Sequence, residues 1–242
     1  MEGTAPIPPP TADGRAAPVS GAQRTGAAAP GGRRPLVRPA TAAALAGALP
    51  LARLALDASS GGLGANPIEE VLNRLGFWTL TFLVASLAST PAHDLLGLRW
   101  PVRVRRTLGL LAFAYGALHL AWYLGVDEFF DLGEVARDVV KRRFITVGLS
   151  ALLLLFPLAL TSTDRSVRRL GYVRWKRLHR LAYVAAALGV VHFLWRVKAD
   201  HRRPAIFAVV VLGLLAARVP AAIRRCRARP RSREGARAGT AA

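Results

Sequence analysis

Five histidines, His93, His119, His179, His192 and His201, are the side chains in this chain best suited to chemistry. An imidazole can carry protons near neutral pH or ligate a metal, and its surroundings decide which. His119 lies inside Ala-Tyr-Gly-Ala-Leu-His-Leu-Ala-Trp-Tyr at 114–123, and His192 inside Val-Val-His-Phe-Leu-Trp at 190–195. His179 opens the apolar stretch that His192 closes. In hydrocarbon an imidazole is expensive, so it faces a bundle interior, a partner or a cofactor. Counted from the basic ends of their segments, His119 and His192 fall at similar depth. A haem held by two histidines needs one ligand from each of two facing helices at one depth. The plainer alternative is a pair of histidines that only hydrogen-bond neighbouring helices. His179 lies thirteen residues before His192, roughly 20 Å along a helix and about 220° around it, so one straight helix does not put both on one face. His93, after Pro91, and His201, in a charged loop, read as interfacial or solvated. A zinc site wants four clustered ligands and a proton relay wants buried carboxylates, and neither stands beside these histidines.

The elements that must position the histidines are apolar segments. The chain has 242 residues, 52% of them hydrophobic, with 34 Lys plus Arg against 14 Asp plus Glu. High hydrophobicity and a charge of +20 coexist when apolar spans alternate with basic loops. Nucleic-acid binding would need a folded polar domain to carry the basic patch, and no such segment is present. The single cysteine, Cys226, excludes an internal disulfide framework and a Cys-X-X-Cys-His haem attachment site. Any haem would be bound without a covalent link.

Residues 1–37, rich in Pro, Ala, Gly and Ser, show no apolar period and read as a disordered tail. Arg33-Arg34 faintly suggests an export signal, but the apolar segments continue far beyond it. Six spans are expected: Ala40–Leu56, Gly76–Thr90, Leu108–Val126, Phe144–Thr161, Leu178–Val197 and Pro204–Val219. Each must be helical, because no water is present in hydrocarbon to satisfy the backbone. The predicted fold class is an all-α integral membrane protein, a six-helix bundle over 38–220. Its flanks are the disordered tail and a basic cytoplasmic tail at 221–242. Trp78, Trp100, Trp122, Tyr123, Trp175 and Trp195 are expected near helix ends, as an aromatic belt.

Loop charge predicts orientation. Arg99, Arg103, Arg105 and Arg106 lie in the second connection, and Arg165, Arg168, Arg169, Arg174, Lys176 and Arg177 in the fourth. The tail is Arg-rich from Arg224 to Arg237. These sides are expected to be cytoplasmic. The third connection, with Asp127, Glu128, Asp131, Glu134 and Asp138, reads as periplasmic despite Arg137, Lys141, Arg142 and Arg143. The fifth opposes the rule with Arg196, Lys198, Arg202 and Arg203, but is outvoted. Both termini are expected inside.

Several blocks between Gly61 and Lys198 carry a family likeness. They are Gly-Gly-Leu-Gly-Ala-Asn-Pro (61–67), Arg-Arg-Thr-Leu-Gly-Leu (105–110), Ala-Leu-His-Leu (117–120) and Leu-Ala-Leu-Thr-Ser-Thr (158–163). Arg-Leu-Gly (169–171), Arg-Trp-Lys-Arg-Leu-His-Arg-Leu-Ala-Tyr (174–183) and Val-His-Phe-Leu-Trp-Arg-Val-Lys (191–198) complete them. In this order the blocks resemble the MsrQ family, also called YedZ, of the ferric-reductase-like transmembrane superfamily. The resemblance implies a six-helix inner-membrane bundle holding b-type haem, one or two, with His119, His179 and His192 as haem-associated histidines. His119 and His192 would be the axial iron ligands and His179 a possible ligand of a second haem. In two-haem relatives the partner of the His179 position is another histidine on the third helix; here that place falls on Arg105 or Arg106. FMN is also implied, without residues to assign to it. Arg105, Arg106, Arg174, Lys176 and Arg177 lie where haem propionates or a flavin phosphate could sit, plain topology being the simpler role.

The resemblance further implies an electron-transfer subunit rather than a substrate-turning enzyme. Electrons would come from the quinone pool or a cytoplasmic flavin reductase and leave to a periplasmic molybdopterin-containing methionine sulfoxide reductase. The alternatives are a ferric or quinone reductase on the same scaffold, or a haem-free scaffold or transporter. A self-contained reductase would need a nucleotide-binding turn, and no Gly-x-Gly-x-x-Gly occurs in this sequence.

Overall fold

A computed structural model describes residues 38–217, and every element among them is helical. The predicted disordered tail and the basic tail lie outside the described residues. Helix α1 spans Pro39–Ser59 and α2 spans Pro67–Leu96. Helix α3 covers Trp100–Trp122 and continues as a π-helical turn over Tyr123–Asp127. Helix α4 is Leu132–Lys141 and α5 is Arg143–Leu160. Two short helices, α6 (Asp164–Leu170) and α7 (Tyr172–Leu178), lead into α8 (Leu181–Arg196), and α9 covers Arg202–Ala216.

Five of these stretches are long and apolar enough to cross a membrane: 39–59, 67–96, 100–127, 143–160 and 172–196. The sixth expected span is α9, helical for fifteen described residues, and its last residues, to Val219, lie outside them. The chain is a multi-pass membrane protein.

The helix ends follow local chemistry. Asn66 caps α2 by accepting the Glu69 backbone N–H at 3.2 Å, and Glu69 and Glu70 sit in the positive first turn. Gly97 ends α2 at φ 68°, a left-handed position that suits glycine. Asp131 caps α4 through the N–H groups of Gly133 and Glu134.

Four helices form the core. Contacts pair Gly76 with His119, Thr79 with Gly116 and Ser86 with Gly109, so α2 and α3 run antiparallel. The same opposed numbering joins α3 to α5 (Gly116 with Leu152, Phe113 with Phe156) and α5 to α8 (Gly148 with His192, Ser162 with His179). It joins α8 to α2 as well (Gly189 with Leu80, Arg196 with Asn73). The four helices therefore close a ring in which each neighbour is antiparallel. Ala112, Ala185 and Ala186 are fully buried, and such small residues let membrane helices approach closely. Helix α1 leans on α3, where Tyr115 donates its hydroxyl to the Gly47 carbonyl at 2.7 Å. Arg74 of α2 pairs with Asp57 at the end of α1. Helix α9 packs on the ring through Phe207 against Phe77 and Phe193.

Several expectations are corrected. Helix α2 starts nine residues before Gly76 and runs through Pro91, so His93 lies in its last turn. Its early turns look loop-like because they carry Glu69, Glu70, Asn73 and Arg74, but those groups pair with Arg196, Asp57 and one another. Trp78 consequently lies well inside α2 and packs against the core, whereas Trp122 is the last residue of α3 and also touches the core. Trp100 and Trp195 are exposed.

Candidate functional site

His119 and His192 meet inside the ring. Their imidazole centroids are 6.2 Å apart with the planes at 90°. Both sit near the same end of the ring, three residues before the end of α3 and four before the end of α8. A cavity of about 460 Å³ adjoins them, walled by α2, α3, α5 and α8 with residues of the π-helical turn and α4, mostly apolar but including Asn73, Thr79, Tyr123, Asp127, Arg142 and Arg196. That volume is in the ordinary range for a small-molecule site.

Each ring is held by a backbone carbonyl. His119 donates Nδ1–H to Leu72 O at 2.9 Å, and His192 donates Nδ1–H to Phe144 O at 2.7 Å. Only a protonated nitrogen can bond a carbonyl oxygen, so each neutral ring keeps its lone pair on Nε2. This is the arrangement of a metal-bound histidine, with its second nitrogen fixed by an outer acceptor. Two imidazoles that share one metal, each bonded at about 2 Å, place their ring centroids about 6 Å apart, in accord with the observed separation. Among the described residues no three His, Cys, Asp or Glu side chains gather as a metal cluster. The pair suits a metal whose remaining ligands come from a cofactor.

Glycines make the room. Gly76, Gly116, Gly148 and Gly189, one from each ring helix, all line the cavity. A Cβ on Gly148 would stand 2.5 Å from His192 Nδ1 and 2.8 Å from its Cε1. A Cβ on Gly76 would touch the His119 ring at 3.4 Å, and one on Gly116 would meet Leu152 at 3.0 Å. Gly116 and Gly189 each precede a histidine by three residues, so Gly-x-x-His occurs on both histidine-bearing helices, α3 and α8. That spacing puts the glycine one turn deeper on the histidine's own face. A flat macrocycle between two imidazoles needs such a clearing, and the residues present fit haem. The repeated Gly-x-x-His was the signal in the sequence for this cradle.

His179 is placed apart. It lies in the break between α7 and α8, toward the opposite end of the ring from His192. Its ring stacks on Trp175 with centroids 3.9 Å apart, donates Nδ1–H to Trp175 O at 3.1 Å, and has Nε2 3.5 Å from Ser162 Oγ. His93 and His201 are exposed, as expected. Arg105 reaches Thr90, and Arg106 pairs with Asp164 at 2.7 Å. Both arginines lie at the opposite end from the His119–His192 pair. The cations that line the histidine cavity are Arg142 and Arg196, with Asp127 as its acidic member.

Known proteins are similar to this chain in sequence. Residues 72–190 match the family model described as a ferric reductase like transmembrane component. The chain is 55% identical over 179 residues to the protein-methionine-sulfoxide reductase heme-binding subunit MsrQ of Rhodospirillum rubrum, covering 74% of this chain and 86% of that protein. It is 51% identical to the MsrQ of Herminiimonas arsenicoxydans, over 72% of this chain and 81% of the relative. The MsrQ of Deinococcus radiodurans is 50% identical, over 75% and 90%. By identity and coverage the chain belongs to the MsrQ family, of the ferric-reductase-like transmembrane type.

Proposed function

We propose that this chain is the haem b-binding membrane subunit of a protein-methionine-sulfoxide reductase and carries electrons across the bilayer. The observation that carries the proposal is the His119–His192 pair, each ring fixed through Nδ1 with Nε2 left for iron. When bound, haem supplies one-electron redox chemistry. The chain supplies the rest. His119 and His192 would hold the iron, the Leu72 and Phe144 carbonyls hold the rings, and the mostly apolar walls would limit the access of water. Carbonyl acceptors also make the imidazoles better donors to the metal. His179 is the position for a second haem, should one bind, at the other end of the ring.

Orientation follows from loop charge. The end away from the pair carries Arg99 before α3, Arg103, Arg105 and Arg106 in its first turns, and the arginines of α6 and α7. We assign that end to the cytoplasm of a bacterial inner membrane, with both termini inside. The His119–His192 site then lies toward the periplasmic face, where electrons leave to a periplasmic molybdopterin-containing reductase. Electrons enter on the inner side from the quinone pool or a cytoplasmic flavin reductase. FMN belongs to the same reading as an inner-side carrier, with no residues assigned to it.

The test is stepwise. Quinol, or a flavin reductase with its nicotinamide donor, is added to the reconstituted protein, followed by the soluble reductase and methionine sulfoxide. The haem bands are expected to become reduced, then reoxidised only when the reductase and the sulfoxide are both present. Haem that stays reduced after both additions would contradict the proposed acceptor.

A further inference from the structure

Arg142 and Arg196 line the same cavity as the histidine pair. Arg142 immediately precedes α5, two residues before the Phe144 carbonyl that holds His192. Arg196 ends α8, four residues or roughly 6 Å beyond His192. Their side chains are 55% and 24% exposed, so both stand where the apolar cavity opens. We propose that these two arginines clamp the carboxylates of the ligand whose apolar body fills the cavity, which here means the propionates of haem. This rests on the haem reading above and adds the residues that read the ligand's charged edge.

Three observations support the clamp. First, each guanidinium is aimed by a group that is not part of the cavity wall. Glu69 holds Arg196 at 3.0 Å, and Asp138 holds Arg142 at 3.0 Å while accepting the Tyr123 hydroxyl at 3.1 Å. Asn73, itself on the wall, also accepts from Arg196. Second, donors remain. A guanidinium has five N–H groups, and Arg196 commits one to Asn73 and one to Glu69. Charge-assisted bonds from arginine to carboxylate are among the strongest available to a side chain, and often bidentate. Third, the distances exclude the rival cations. Arg105 and Arg106 precede His119 by fourteen and thirteen residues, roughly 20 Å down α3, whereas Arg196 is one turn from its histidine. Arg142 and Arg196 are the two cationic side chains on this wall, and Asp127 is its one carboxylate.

The test separates the clamp from haem binding itself. Full-length protein prepared without haem is titrated, by visible absorbance, with ferric protoporphyrin and with its dimethyl ester, in which both carboxylates are blocked. Wild type is expected to bind the free acid about tenfold more tightly than the ester or better, the scale typical of an outer contact in a metal site. The double variant R142Q/R196Q is expected to bind the ester as wild type does, with the same spectrum, and to lose its preference for the acid. Equal affinity of wild type for the two ligands, or a double variant that keeps the preference, overturns the clamp. Failure of wild type to bind either ligand overturns the haem reading together with the clamp. The wild-type comparison needs no variant, so misfolding of the double variant leaves the proposal open to refutation.

Discussion

Gly148→Ala reaches His192 without altering a ligand. The added Cβ would lie 2.5 Å from Nδ1, 2.8 Å from Cε1 and 3.1 Å from Cγ of that ring. Non-bonded heavy atoms prefer about 3.5–4.0 Å, so the imidazole must retreat by about 1 Å. It has no slack on that side, because Nδ1 is bonded to Phe144 O at 2.7 Å and Phe144 opens the helix that carries Gly148. Losing that hydrogen bond costs about 1 kcal/mol, and pushing the side chain off its rotamer about 1 kcal/mol more. Together, about 2 kcal/mol weakens haem about thirtyfold. The assay is a Soret titration of haem-free protein in detergent, with circular dichroism to verify the helices. Gly213→Ala serves as the control, since a Cβ there meets nothing within 4 Å. Unchanged haem affinity and spectrum in Gly148→Ala, alongside an unchanged Gly213→Ala, would refute the placement of His192 as a ligand.

Three further outcomes are expected. His179→Ala should retain the haem held by the outer pair, with its low-spin bands unshifted; loss of all haem from a folded variant would move the ligand set to the other end of the ring. Tyr115→Phe removes the bond from α3 to the Gly47 carbonyl and should lower unfolding free energy by about 1 kcal/mol in a denaturant titration, leaving the haem spectrum unchanged. Unaltered stability would mean that the contact contributes nothing to seating α1. A reporter fused to the C-terminus should be active only as a cytoplasmic marker, and a periplasmic signal would reverse the assigned orientation.

Much of the scaffold was legible because hydrocarbon imposes one rule, that apolar runs of span length become helices. His119 and His192 could be paired from depth alone, since helical rise is fixed. The early turns of α2 were missed because their polar groups mimic a loop, yet Asn73, Glu69 and Arg74 are satisfied by Arg196 and Asp57 from other helices. Arg196 stands 123 and 127 positions from Asn73 and Glu69, and Asp57 stands 17 from Arg74, so none of these partners leaves a pattern within one helix. The short helices α4, α6 and α7 were hidden for a related reason: they are charged and too short to announce a span. The break at His179 was invisible as well, and it removes the straight-helix geometry on which the 220° argument depended. The cradle glycines were overlooked because a glycine in a membrane helix is common. Only the repeat of Gly-x-x-His on two helices marks them. In the sequence Arg142 and Arg196 are indistinguishable from other loop charge, and their place at the cavity follows from tertiary packing.

The most direct test is a reduced-minus-oxidised visible spectrum of the purified protein, with haem quantified per chain, for wild type, His119→Ala and His192→Ala. A low-spin b-type spectrum in wild type, lost in both variants while their helices persist, is the predicted result. A colourless wild type from haem-replete cells, or full haem retained in either variant, would contradict the assignment of His119 and His192 as the iron ligands.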